Sequence, residues 1–115
     1  MLTIDYFILD AAHPLITADK LQDELILYNL DAASYGVLQT EFLRITGKEI
    51  DKHSFTTALS GGQRIILMAL LALLSPAPKL KFINLMHALD STRRRYLQEL
   101  LDTSTKEIIL ENKPC

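Results

Sequence analysis

The segment Ile65 to Leu74 is the longest apolar run in the chain, and it constrains the fold more than any other stretch. Ser60-Gly61-Gly62 stands before it, and Pro76 and Pro78 stop it. Serine and glycine suit a helix start, and proline cannot continue a helix. The run therefore predicts a helix over Gln63–Leu74. With Ile65, Ile66, Leu67, Met68, Leu70, Leu71, Leu73 and Leu74, that helix has no polar stripe. A helix apolar nearly all round is buried against several neighbours. The run is too short to cross a bilayer, so the neighbours must come from the protein itself.

The remaining segments supply those neighbours. Thr3 to Leu9 is rich in Ile, Tyr and Phe and reads as a strand. Ala11-Ala12-His13-Pro14 breaks the pattern. A helix capped by Thr17 or Asp19 is expected to run to about Leu30, with Leu21, Leu25 and Tyr28 on one face. A second is expected from Ala32 to Thr46, where Tyr35, Leu38, Phe42 and Ile45 make a buried stripe and Gly47 supplies the left-handed cap. Lys48 to Thr57 reads as loop. Beyond the prolines, Lys79 to Leu85 reads as a strand, Asp90 or Ser91 starts a helix, and Glu107 to Glu111 is a final short strand. In the last helix Tyr96, Leu97, Leu100 and Leu101 form the core face. Strand, helix, strand is the βαβ unit, which pairs its strands in parallel. The expected fold is α/β: about four helices and a small, mostly parallel sheet of about three strands. The 115 residues suit a single domain, a helical part over about 17–58 followed by a βαβ part over about 59–115.

Composition excludes several classes. The net charge of −2 gives no basic excess of the kind a general nucleic-acid binder carries. Cys115 is the sole cysteine, so no internal disulfide can form. Asp5 and Asp10 fall where a signal peptide would be apolar, which points to the cytoplasm. His13, His53 and His87 have no metal-ligand spacing, and no metal is expected.

Leu59-Ser60-Gly61-Gly62-Gln63 carries the chemical information. A serine and two glycines before a helix let a ligand approach the backbone. The unpaired first-turn N–H groups and the positive end of the helix dipole favour an anion of phosphate size. The same residues also make an ordinary helix cap. Asp90 likewise suits a cap of the last helix, and Arg93 to Arg95 suit a solvated helix face or, as the sharper alternative, a contact with phosphate or an acidic partner.

The pentapeptide resembles the signature motif of ABC-type ATPases. The segments after Gln63 resemble the second half of that cassette: a helix, a break at Ser75–Pro78, the strand from Lys79 to Leu85, and Ala88-Leu89-Asp90 in the place of the D-loop. The resemblance spans roughly Asp31 to Glu111. It implies that Ser60, Gly61, Gly62 and Gln63 cover the γ-phosphate of ATP held by an opposite subunit, with Asp90 at the same interface. Other parts of the pattern are missing. No Gly-x-x-x-x-Gly-Lys-Ser/Thr loop occurs in the chain. The positions of the magnesium and water-activating carboxylates are occupied by Ile83 and Asn84. Isoleucine cannot hold a cation, and asparagine cannot accept a proton. Asn112 and Lys113 stand where the family has its switch histidine.

Phosphoryl transfer depends on a lysine, magnesium and a water-orienting group, so autonomous hydrolysis is not expected. The first expectation is a non-catalytic partner or regulatory subunit, with ATP engaged only in trans on an intact ATPase. The others are an ATP-binding homodimer with an unrecognised site and a structural interaction module. In the absence of the nucleotide-loop half, uncovered sheet edges predict a protein partner or self-association.

Overall fold

The computed structural model describes residues 6–13, 16 and 18–113. Three strands, β1 (Phe7–Asp10), β2 (Lys79–Ile83) and β3 (Glu107–Glu111), form one sheet in the order β1-β2-β3. Both pairings are parallel, with Phe7 opposite Leu80 and Leu80 opposite Ile108. Four helices, α1 (Leu21–Leu27), α2 (Ala32–Thr46), α3 (Gly61–Leu74) and α4 (Ser91–Thr103), complete the α/β fold expected from the sequence. Strands that pair in sequence order through right-handed crossovers step always the same way, and that places their helices on one side. Burial follows suit. Leu9, Leu80 and Phe82 are buried, whereas Ile8 and Ile109 on the opposite face are exposed.

Helix α3 is the core. Residues Ile65 through Ala72 are all buried, including both faces of the helix. Helix α2 lies against it through Leu38, Phe42 and Ile45, and α4 contributes Leu97 and Leu101. Tyr35, Tyr96 and Leu100 are only partly buried at the margins of that core.

Several boundaries are set by local chemistry. Asp31 accepts the Ser34 N–H at the start of α2, and Gly47 ends it in the left-handed conformation at φ 75°. At the end of α3, Lys106 reaches back from the turn before β3, and its ammonium donates to the carbonyls of Ser75 (2.6 Å) and Ala77. Burial there pushes the Lys106 pKa down.

Other boundaries differ from the sequence expectation. Helix α1 starts after Lys20, which makes no side-chain cap bond. Thr17, like Thr3 to Asp5 of the expected first strand, lies outside the described residues. The carbonyl of Asp19 accepts the N–H of Thr56 instead of capping the helix, at 2.8 Å. In place of a cap, the chain runs extended and forms a bridge between Lys20 and Phe55. The buried carboxylate of Glu24 accepts the Ala18 N–H at 2.6 Å and holds this entry segment. Helix α1 also stops at Leu27, because Asn29 adopts φ 57°. Strand β2 ends at Ile83 because Asn84 turns to φ 57° as well.

On the outward sheet face, polar side chains cover the strands. Lys79 pairs with Glu107 at 3.3 Å and Lys81 with Glu111 at 2.7 Å. The Tyr6 hydroxyl donates to Glu107 across the strand between them. Glu107 is held below its ordinary pKa first by the Tyr6 hydrogen bond and then by Lys79, and Glu111 by the Lys81 hydrogen bond.

Burial separates two neighbours on α2: Phe42 is fully buried and Leu43 is 42% exposed. Phe42→Ala should cost about 3–5 kcal/mol in urea unfolding, with Leu43→Ala costing a small fraction of that. The sheet-face glutamates set a pH dependence. Both have folded pKa values below the unfolded ones, so their contribution is complete above the ordinary glutamate range and is lost as pH falls through the lowered values. A Lys79→Met/Lys81→Met variant should therefore be less stable than wild type near neutral pH. Unfolding midpoints measured down the acid limb should converge.

Candidate functional site

The Ser60–Gln63 turn is a complete capping box. Ser60 is extended at φ −66° and ψ 166°, and its hydroxyl oxygen accepts the Gln63 N–H at 3.2 Å. The Gln63 side-chain oxygen accepts the Ser60 N–H at 2.9 Å in return. Such reciprocal bonds satisfy two backbone donors at once. The Ser60 carbonyl already accepts the Arg64 N–H, so the helix begins directly after Ser60. Gly61 and Gly62 occupy the first two helical positions, where N–H groups have no acceptor within the helix. Just before the turn, Leu59 is buried, and the Thr56 hydroxyl donates to the Ala18 carbonyl at 2.6 Å.

Helix α4 begins beside this turn. Asp90 caps it by accepting the Arg93 N–H at 2.8 Å, and Arg94 Nε donates to the Leu89 carbonyl at 2.8 Å. The guanidinium of Arg93 extends over Gly62. A Cβ placed on Gly62 would stand 3.1 Å from Arg93 Nη1. Arg93 also lies 3.9 Å from the Asp90 carboxylate. The structure therefore brings the Ser60–Gln63 turn and the Asp90 cap together, and sets Arg93, one of the three arginines at the start of α4, beside them. Arg94 and Arg95 are exposed, as a solvated face requires, while Arg93 is half-buried, and each makes a different contact. Arg93 covers Gly62, Arg94 holds Leu89, and Arg95 stacks near Tyr96 at 5.9 Å.

Ile83 and Asn84 sit at the carboxyl end of β2. Ile83 is buried. Asn84 is a structural clip. Its N–H donates to the Glu111 carbonyl at 2.8 Å, and its side-chain oxygen accepts the Lys113 N–H at 2.7 Å. The asparagine thus ties the end of β2 to the chain leaving β3. Beside it, Ala11, Ala12, Asn84, His87 and Ala88 line a shallow depression of about 220 Å³ at the ends of β1 and β2. None of these five side chains carries a carboxylate. Among the described residues, no three His, Cys, Asp or Glu side chains converge on a common point. No helix among them is long and apolar enough to cross a membrane.

The fold and this edge define the class: a small α/β protein with a one-sided parallel sheet and two helix starts set side by side. No protein-family model matches the sequence, and no curated protein matches it.

Removing the cap has a defined cost. Ser60→Ala leaves the Gln63 N–H without its acceptor and should destabilise the fold by about 1 kcal/mol in urea unfolding. Gly61→Ala should cost less than that, since nothing lies within 4 Å of a Cβ placed there.

Proposed function

We propose that this protein is a non-catalytic, ABC-ATPase-like subunit that presents the Ser60–Gln63 turn to nucleotide held by another ATPase. The observation that carries the reading is the pairing of the α3 start with Arg93. The amides of Gly61 and Gly62 open a buried fourteen-residue helix, and a guanidinium lies beside them. Helix starts attract anions, and arginine adds a planar donor suited to phosphate. Asp90 caps α4 beside Arg93, and in this reading it would face the partner. The chain's own chemistry supports a receiving role. Ile83 and Asn84 supply no carboxylate, and Asn84 is committed to Lys113. In this reading the protein works in the cytoplasm, takes ATP only in trans, and pairs with an ATPase that has its own phosphate loop.

A second reading, a structural module in which the turn is only a cap, is favoured by the reciprocal Ser60 and Gln63 bonds. Gly61 separates the two. Its Cβ position is open, so Gly61→Asp fits the fold, and an acid in a first helical turn is compatible with the helix dipole. The same substitution sets a negative charge where the phosphate would lie. Calorimetry of the purified chain with Mg-ATP should show no binding; micromolar binding to the chain alone would replace this reading with an ATP-binding homodimer. With the ATPase that co-purifies, Gly61→Asp should reduce stimulated hydrolysis by about tenfold or more while leaving the unfolding midpoint near wild type. Unchanged stimulation would leave the turn as a cap and nothing else.

A further inference from the structure

Strand β3 is an edge of the sheet, and among the described residues no strand pairs with its outer side. Its inner side is fixed by two bonds. The Glu107 N–H donates to the Pro78 carbonyl, and the Glu111 carbonyl accepts the Asn84 N–H. Residues two apart in a strand bond toward the same side, so Glu107, Ile109 and Glu111 bond to β2. The N–H and C=O groups of Ile108 and Leu110 therefore face the open edge. Such a row is a template for another strand. Ile109 and Leu110, on opposite faces of β3, are 39% and 45% exposed, so side chains on both faces await a neighbour.

The charges decide what that neighbour is. Glu107 and Glu111 bracket the apolar centre of the strand. A second copy pairing β3 with β3 about a two-fold axis at Ile109 would set Glu107 opposite Glu111 twice, and like charges directly opposite are destabilising. The other edge strand, Phe7–Asp10, offers no cation either and ends in an acid. We infer that β3 accepts, by strand addition, an extended segment of a different protein whose apolar centre is flanked by lysine or arginine four residues apart. That spacing sets each cation directly opposite Glu107 or Glu111, on the face those carboxylates share with Lys79 and Lys81. Acids at both ends serve a strand entering in either direction. Strand addition at this edge is independent of the Ser60–Gln63 turn and needs no nucleotide.

The test uses the full chain and a blocked, fluorescent peptide, Thr-Lys-Val-Ile-Val-Lys-Thr, against a counterpart with glutamate for both lysines. The lysine peptide should bind saturably by anisotropy, with amide exchange slowed at Ile108 and Leu110. The glutamate peptide should bind at least about tenfold more weakly. Leu110→Pro removes an outward N–H without touching the β2 ladder and should weaken binding by about tenfold. Glu107→Lys/Glu111→Lys keeps that backbone intact and should reverse the preference between peptides. No binding, equal binding of both peptides, or slowed exchange elsewhere than β3 would overturn the inference. So would a dimer of the chain in light scattering that Leu110→Pro dissolves, because that would make a second copy the occupant.

Discussion

Helix α3 has no side that tolerates water from Ile65 to Ala72, and the arrangement of the other elements answers that constraint. A helix of this kind needs cover from several directions. Helices α2 and α4 supply Phe42, Leu38, Leu97 and Leu101, and the sheet supplies Leu9, Leu80 and Phe82. The helix is also clamped at both ends by polar contacts: the capping box at Ser60 and Gln63, and Lys106 on the carbonyls of Ser75 and Ala77. These clamps matter because a helix interior can be specified by burial alone, whereas its ends expose backbone groups that burial would penalise.

The same division separates the legible parts of the sequence from the rest. The interiors of α2, α3 and α4 are legible because periodicity and burial coincide there, and the C-terminal end of α2 is legible because Gly47 has one evident use. The start of α1 is not. Thr17 and Asp19 have capping chemistry, yet Asp19 is drawn into contact with Thr56, far away in the sequence, and Lys20 takes the cap position. The end of β2 is overrun for a related reason. Asn84 and Leu85 look compatible with a strand, but Asn84 is pulled into a left-handed turn by bonds to Glu111 and Lys113, which lie beyond the next helix. At the site, Ser60 to Gln63 and Asp90 are recognisable as local caps, while Arg93 over Gly62 depends on how two helices meet. Long-range contacts of this kind leave no periodic trace.

The double role of the Ser60–Gln63 turn is not a contradiction. Capping uses the Ser60 oxygen and the Gln63 oxygen on the amides of Gln63 and Ser60. A phosphate would use the intervening amides of Gly61 and Gly62 together with the Arg93 guanidinium. The two sets of groups are separate, so a folded cap is a prerequisite for presenting those amides in a fixed direction. At Gly61 the approach is free of side chains, whereas the Arg93 guanidinium lies over Gly62. Capping accounts for the geometry of the turn, and the 3.1 Å approach of Arg93 Nη1 accounts for the missing side chain at Gly62, so Gly61, whose Cβ position is open, is the position that neither explains.

The sheet extends this logic to the rest of the molecule. Parallel strands are ordinarily covered on both faces, and here strand order places the helices on one. The outward face is made tolerable by a row of ion pairs, Lys79 with Glu107 and Lys81 with Glu111. Those same glutamates flank the open edge of β3. Among the described residues no strand pairs with the outward groups of Ile108 and Leu110. In the strand-addition reading, charge at the two ends with Ile109 and Leu110 exposed between them makes the edge selective rather than merely protected, because simple protection would have put charge at the centre of the strand as well.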